Sequence, residues 1–386
     1  MGQRIGIVGA GIGGLAAAAL LAERGHAVTL VERFAVPRPL GSGLVVQPVG
    51  LRVLDALGAG QAARALGAPL VAMLGHAGRR VVLDVRYRRG APGLAMHRAS
   101  LFEVLWRAAE ARGVTLVTGA AVVGAQAGWL LRDGAEAVGP FDLIVDASGT
   151  GSRLSPLVAR PLGFGAVWAS VPWPADATLP GDQLSQRYFR ASRMAGVMPI
   201  GRLPGEDVAR AAVFWSLPLA GLDGWAGVDF AGWKAEVAQF WPEMAPFLAL
   251  LQGAADLTPA RYSHGSLARP WADGIAFIGD AAHRASPQLG QGANMALLDA
   301  MALRLALDQG LAGALPRYGA MRRWHRGFYQ GFSGLLTPMY QSHSRVLPVL
   351  RDLILAPLGR VPPVRGVLTA LVSGDVLPPL AGQSWP

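Results

Sequence analysis

Asp280, Gly290 and Gly292 lie within one stretch, FIGDAAHRASPQLGQGANMALLDA from Phe277 to Ala300, whose residue types suit a charged ligand. Gly279 lets backbone approach a ligand closely, and Asp280 can offer its carboxylate to sugar hydroxyls. Gly290 and Gly292 free backbone N–H groups at a helix start, with Pro287, Ala293 and Asn294 in the same turn; such a helix end suits an anion or a ring that becomes anionic. The elements that must hold them are legible. Ile275 to Ile278 predict a buried strand, and a helix follows with apolar positions at Met295, Leu298, Met301 and Leu305 and, on the adjoining face, Leu297.

A second set of residues stands near the start of the chain. Arg4 to Val8 reads as a strand, Gly9-Ala10-Gly11-Ile12-Gly13-Gly14 as a glycine-rich turn, and Leu15 to Arg24 as a helix. Gly9 permits the tight turn, Gly11 admits a pyrophosphate, and Gly14 lets the helix pack on the sheet. Glu32 ends the next strand, Val28 to Val31, at the spacing of a carboxylate that binds adenosine ribose hydroxyls. Gly58-Ala59-Gly60 repeats the glycine pattern but follows a helical stretch, Arg52 to Leu57, and so reads as a helix-ending turn. One dinucleotide fold is therefore expected, with no second nicotinamide-binding unit.

A third segment, FDLIVDASGTGSR from Phe141 to Arg153, delivers Asp146 from an apolar strand to a glycine-containing turn. In this order the three segments resemble the flavoprotein aromatic hydroxylase family, typified by the para-hydroxybenzoate and salicylate hydroxylases. The resemblance covers most of residues 1–330. It implies FAD, with the glycine turn, Glu32 and Arg33 at the adenosine end and Asp146 to Arg153 beside the pyrophosphate. Gly279-Asp280 would meet the ribityl chain, and Gln47 and Arg98, in segments 43–57 and 97–105, would lie near the flavin. The family usually has Gly directly after the Asp at 146, where this chain has Ala-Ser-Gly; that departure touches a nicotinamide role more than FAD binding.

Composition narrows the alternatives. The 386 residues are 52% hydrophobic and 16% charged, which fits two intimately joined globular domains and argues against disorder. No cysteine is present, excluding disulfides, thiolate catalysis, zinc-thiolate sites and a cysteinyl flavin link; the seven histidines form no close helical pair, so no metal is expected. The net charge of +10 comes from 35 basic residues spread without a dense tract, which argues against nucleic acid and for steering of anionic partners. With neither a signal peptide nor an apolar run of about eighteen residues, a cytoplasmic protein without membrane insertion is expected.

The expected fold class is α/β: a Rossmann-type FAD-binding domain (1–68, 97–162 and 271–330), an inserted, mostly antiparallel β-sheet substrate domain (69–96 and 163–270), and a helical C-terminal region (331–386). Strands are predicted at Pro69 to Leu74 and Arg80 to Val85, then four more between Gly163 and Leu217, VWASVPW, QLSQRYF, RMAGVMPI and AAVFWSL, separated by turns. The tail reads as helical to about Leu355 and then broken by Pro357, Pro362, Pro363, Pro378 and Pro379. Its Arg345, Arg351, Arg360 and Arg365, set among apolar residues, suit a membrane surface; packing on the catalytic body or a second subunit is the commoner arrangement, which leaves a homodimer open.

The resemblance implies monooxygenation: hydride from NADH or NADPH as co-substrate, O2, a flavin C4a-hydroperoxide, and hydroxylation of an aromatic or other electron-rich small molecule. Backbone N–H groups around Gly290 to Asn294 would steady charge on the reduced flavin. The sheet offers Trp168, Gln186, Tyr188, Arg190, Met194 and Trp215 to the substrate, of which alternation lets about half face inward. Arg190 could hold a carboxylate. His76, His264 and His283 are candidate bases, with His283 more suited to orienting its loop and His97 to packing beside Arg98; no base is assigned. Two other readings share the scaffold: a flavin-dependent reductase or dehydrogenase of an apolar, isoprenoid-like substrate, and a non-catalytic FAD-stabilised binding protein. A halogenase lacks support, since its Trp-x-Trp-x-Ile-Pro signature and an early catalytic Lys are missing.

Overall fold

The apolar runs that the sequence marks as strands line up into a parallel sheet. The computed structural model describes residues 2–36 and 42–385; Met1, residues 37–41 and Pro386 lie outside the described residues. Six strands stand in the order Trp271–Ala272, Ile275–Phe277, Leu143–Asp146, Arg4–Val8, Ala27–Val31 and Thr115–Val117. All pairs are parallel except the edge pair of Trp271–Ala272 with Ile275–Phe277. Residues far apart in sequence thus end side by side, with Val8 opposite Asp146 and Asp146 opposite Phe277. Ligands of open α/β sheets gather at such carboxyl ends.

Helix Ile12–Ala22 packs against helix Gly292–Asp308, and small residues permit the approach: a Cβ on Gly13 would lie 3.3 Å from that of Ala296. Ala16 to Ala19 and Leu297 to Ala302 are buried in the largest apolar core, with Asp299 the one polar residue in that run of the second helix.

The second sheet has eight strands: His283–Arg284, Thr258–Ser266, Arg160–Pro172, Arg210–Pro218, Arg193–Pro199, Gln183–Phe189, Ala72–Ala77 and Arg80–Arg86, in that order. It is antiparallel apart from the pairing of Gln183–Phe189 with Ala72–Ala77. All four predicted strands between Gly163 and Leu217 are present, because each has β-rich residues between Gly/Pro/Asp turns. The expected strand at Pro69 to Leu74 is instead divided between Ala68–Leu70, in a small sheet with Gly43–Val46 and Gly93–His97, and Ala72–Ala77. One face of the large sheet carries Val167, Val197, Val213 and Trp215 under the helices of residues 219–249. The other face carries Trp168, Leu184, Met198 and Ala212 toward the Gly43–Val46 strand.

The pattern after Gly58 is a turn, as its context indicates: Gly58 has φ +73° between helices Pro48–Ala56 and Gly60–Leu66. The tail corrects an expectation. Pro362 and Pro363 do not break a helix but begin one, Pro362–Ser373, because proline at the first helical positions gives up only N–H groups that have no helical acceptor. The tail also packs on the catalytic body, with Leu380 in the largest core and Arg52 paired to Asp375 at 2.9 Å.

Candidate cofactor site and substrate chamber

The glycine turn is held from two sides. Gly9, at φ +99°, lies so close to the 146–148 turn that a Cβ would sit 2.8 Å from the Ala147 oxygen, while a Cβ on Gly14 would meet the Gly9 oxygen at 1.9 Å. Gly11 faces open space. Glu32 is buried, its carboxylate accepting from Ala10 N at 2.8 Å and Phe34 N at 3.0 Å, so it shapes the turn as well as offering its remaining lone pairs. Asp146 is fully buried. Its carboxylate accepts from Ser148 N (3.0 Å), Ser148 Oγ and Ser152 Oγ, so it organises the turn up to Ser152 from within instead of presenting itself to a ligand. Arg33 is exposed, stacked 4.6 Å over Phe34, and its Nη1 stands 3.9 Å from where a Gly151 Cβ would be. The first and third segments thus share one end of the cleft.

At the other end, the fully buried Asn294 joins the helix start to the small sheet. Its Oδ1 accepts from Gln47 N at 2.8 Å, and its Nδ2 donates to Val45 O at 3.0 Å and Gly290 O at 2.9 Å. Gln47 is itself fully buried. Burial keeps the Tyr87 phenol protonated by raising its pKa, and the hydroxyl donates to Gln47 Oε1 at 2.6 Å. That bond fixes the amide and sends Nε2, a donor with no protein partner, toward Gly290, where a Cβ would lie 3.2 Å from it. Gly290 has φ +61°, and Gly292, exposed, leads a helix with no side-chain cap on its N–H groups. Pro287 is exposed and Ala293 half-buried on the same rim. Arg98 and Asp280 both keep contact with solvent, with no ion pair joining them; surrounding protein lowers the Arg98 pKa, and the Asp280 carboxylate counters this in part.

Behind this rim lies a buried ionic cluster that sequence reasoning missed. Asp299 Oδ2 accepts from Gly279 N at 3.0 Å and contacts His283 Nε2 at 2.6 Å, and Oδ1 accepts from Arg322 Nε at 2.7 Å. Desolvation opposes the charged form of Asp299, but His283 and Arg322 outweigh it and hold the carboxyl well below the usual range. Arg322 Nη1 donates to Pro379 O at 2.8 Å, and His325 Nε2 meets Gly374 O at 3.0 Å. His283 therefore orients the Gly279–Asp280 loop, the role its position in the motif suggested. The only signal in the sequence was an Asp among the apolar residues of a predicted helix.

His325 gives a pH prediction. Burial, then Arg322, lowers its pKa from 6.5 to about 3, so between those values the unfolded chain binds the extra proton. Stability is expected to fall as pH drops from 6.5 toward 3. Denaturant midpoints measured over this window should show a flatter profile for His325→Gln; an unchanged slope would count against the assignment.

Strand alternation sorts the substrate candidates. Trp168, Gln186, Tyr188 and Met194 share the face turned from the helical layer, whereas Trp215 lies under that layer against Phe240, 5.6 Å between ring centroids. His76 aligns with Arg187, which pairs with Glu243 of the helical layer, so it stands on the wrong face for a catalytic base; burial and Arg187 lower its pKa. Tyr188 is core, its ring tilted against that of Tyr340 with Arg351 over it at 5.0 Å. Arg190, at φ +54°, stands on an exposed turn beside the Phe189 ring. His264 lines a hollow of about 290 Å³ with Arg160, Phe164, Gln341 and His343. His97 caps helix Arg98–Glu110 by accepting from Ala99 N at 3.0 Å. On the inward face, Trp168 and Phe214 pack with tilted rings, centroids 4.4 Å apart, and the Phe214 ring lies across Gly196, where a Cβ would be 1.9 Å away.

These residues fit a flavin dinucleotide: an orphaned amide donor at Gln47, open space at Gly11 and Gly292 that a side chain would occupy, and an uncapped helix start. The family described as FAD binding domain matches residues 3–129 and 249–318. The chain belongs to that family. Its curated relatives include 2-heptyl-3-hydroxy-4(1H)-quinolone synthase of Mycobacteroides abscessus, 30% identical, covering 92% of this chain and 94% of the relative. They also include 6-methylpretetramide 4-monooxygenase of Streptomyces rimosus, 30% identical over 96% of this chain and 92% of its own length. Among solved structures, Klebsiella pneumoniae HpxO complexed with FAD and uric acid superposes with TM-score 0.81 over 97% of this chain and 98% of that one, at 21% identity, which shows the fold. Membership of this FAD-binding family, within the flavoprotein aromatic hydroxylases, makes the chain an FAD-dependent monooxygenase.

Proposed function

We propose that the protein hydroxylates a neutral, electron-rich aromatic molecule at the expense of NADH or NADPH, with residues 1–68, 97–162 and 271–330 holding FAD and residues 69–96 with 163–270 facing the substrate. The observation that carries this reading is the inward sheet face. Trp168, Leu184, Gln186, Met194, Met198 and Phe214 occupy it, and neither nearby arginine suits a substrate carboxylate: Arg190 stands outside, and Arg351, over Tyr188, is already paired with Asp352. A substrate carboxylate there would lose its hydration without gaining a partner, whereas an aromatic plane is matched by the Trp168–Phe214 pair.

FAD, when bound, supplies the redox chemistry, taking two electrons from the nicotinamide and spending them on dioxygen. Gln47 Nε2 and the N–H groups of Gly292 to Asn294 would donate to the flavin's polar edge. Asp280 would accept from ribityl hydroxyls while Arg98 balances negative charge nearby. Glu32 would accept from the adenosine ribose and Arg33 would meet the phosphates. The sheet face excludes water from the reacting ring. The quinolone named in the first relative, a fused aromatic ring without a carboxylate, agrees with such a chamber.

Two measurements test the reading. FAD-loaded protein should oxidise NADH or NADPH faster with neutral phenols or 4-quinolones than with aromatic acids; stimulation confined to the acids would overturn the neutral-substrate assignment. Asp280→Ala should lower FAD affinity tenfold or more with the fold retained, because a hydrogen bond to a charged group contributes about 1.5–3 kcal/mol and this side chain is exposed. Unchanged quenching of FAD fluorescence on titration would remove Asp280 from the site.

A further inference from the structure

Exposed apolar side chains are concentrated in one part of this molecule. Of the twenty large hydrophobic residues exposed among the described residues, nine fall between Val346 and Val367. Val346, Val349 and Leu353 recur at helical spacing and are 73%, 52% and 53% exposed; Ile354 and Leu358 adjoin them, and Val367 of the next helix is 57% exposed. A packed tail would turn these residues inward, and here its inner face is already satisfied by other groups. Arg351 is buried, over Tyr188 and Tyr340 and paired with Asp352, so it is no surface charge, contrary to the sequence reading of the tail.

Both helical stretches, 347–358 and Pro362–Ser373, lie on the edge strand Arg80–Arg86. They are joined to it through bonds from Arg360 Nη2 to Val81 O (3.3 Å) and Thr369 Oγ1 to Arg86 O (2.9 Å). That hairpin adds its own charge. Residues 79–89 and 345–367 together hold nine arginines against two aspartates, and each aspartate is already bonded to a neighbouring arginine. Arg79, Arg80, Arg88 and Arg89 are exposed in the hairpin segment, as are Arg345, Arg360 and Arg365 in the tail that lies on it.

We propose that this ridge docks on the surface of an anionic lipid bilayer, its valines and leucines entering the headgroup boundary while the arginines meet lipid phosphates. The charge selects this occupant over a second copy of the chain, since a two-fold contact through the same patch would set arginines against arginines. Docking is peripheral, because no helix among the described residues is long and apolar enough to cross a membrane. It would keep the enzyme beside molecules dissolved in the bilayer without altering the cofactor cleft.

The test uses the full-length FAD-loaded protein with phosphatidylglycerol or phosphatidylcholine vesicles at low salt. At least tenfold more protein should sediment with phosphatidylglycerol, and high salt should release most of it. Leu353→Glu/Val367→Glu should abolish sedimentation and Arg345→Ala/Arg365→Ala should weaken it, with flavin absorbance intact in both. Equal sedimentation with the two lipids, or none with phosphatidylglycerol, would overturn the proposal. So would a concentration-dependent dimer, seen on gel filtration, that the Leu353→Glu/Val367→Glu variant splits.

Discussion

Replacing Asp299 with alanine is expected to cost about 3–5 kcal/mol of folding free energy, the range for removing one partner of a buried ion pair. Arg322 is 0% exposed and would keep its charge with no carboxylate beside it, while Gly279 N and His283 would lose their acceptor. The loss should reach the cofactor as well, because Gly279 carries Asp280 on the next residue. Substituting both charges, Asp299→Leu with Arg322→Met, should recover much of the stability, since removing the pair together leaves no uncompensated charge. Urea denaturation of the flavin-free chain measures all three proteins. A double variant no more stable than Asp299→Ala would mean that the carboxylate acts through something other than its pairing with Arg322.

Two glycines of the same turn, Gly14 and Gly11, should separate folding from binding. A Cβ at residue 14 would stand 1.9 Å from the Gly9 carbonyl oxygen, a backbone atom that can move only by opening the turn. Gly14→Ala should therefore exceed the about 1–3 kcal/mol typical of overpacking and abolish FAD binding. At residue 11 nothing lies within 4 Å, so Gly11→Ala should fold as the wild type does. Its methyl group would nevertheless occupy the space through which a pyrophosphate approaches the helix, and FAD affinity should fall by about a hundredfold, or ~2.7 kcal/mol. Wild-type affinity in Gly11→Ala would show that the phosphates take another path.

The cofactor segments were legible because each is local: a strand, a turn needing glycine, and a helix follow within some tens of residues. The inserted sheet was legible for the same reason, through its turn residues. What escaped was the pairing of residues distant in sequence. Asp299 finds Arg322 across 23 residues and Gln47 finds Tyr87 across 40, and neither separation leaves a pattern in the chain. Face assignment escaped too. His76 and Trp215 are plausible pocket residues by type, but the register, with its bulge between Gly75 and His76, decides which side each takes. Arg351 looked like surface charge because arginine usually is, and only the tertiary structure supplies the rings and the aspartate that hold it inside.

The chamber also accounts for a division of labour between segments. The parallel sheet and its two glycine-bearing helix starts create a binding cleft from backbone groups, which tolerate little change. The inward sheet face is built from side chains, Trp168, Met198 and Phe214 among them, carried on the strands of the second sheet. A Gly196→Ala change should displace the Phe214 ring and alter which aromatic substrates stimulate turnover, while FAD absorbance stays as it is.

The most direct measurement supplies the FAD-loaded protein with NADH or NADPH, a neutral aromatic substrate that stimulates turnover, and isotopically labelled dioxygen, and then weighs the product. One labelled oxygen atom in the aromatic product, appearing only when the nicotinamide is present, is the result expected. Oxidised substrate carrying no label from dioxygen would contradict the account and favour a flavin-dependent dehydrogenase on the same scaffold.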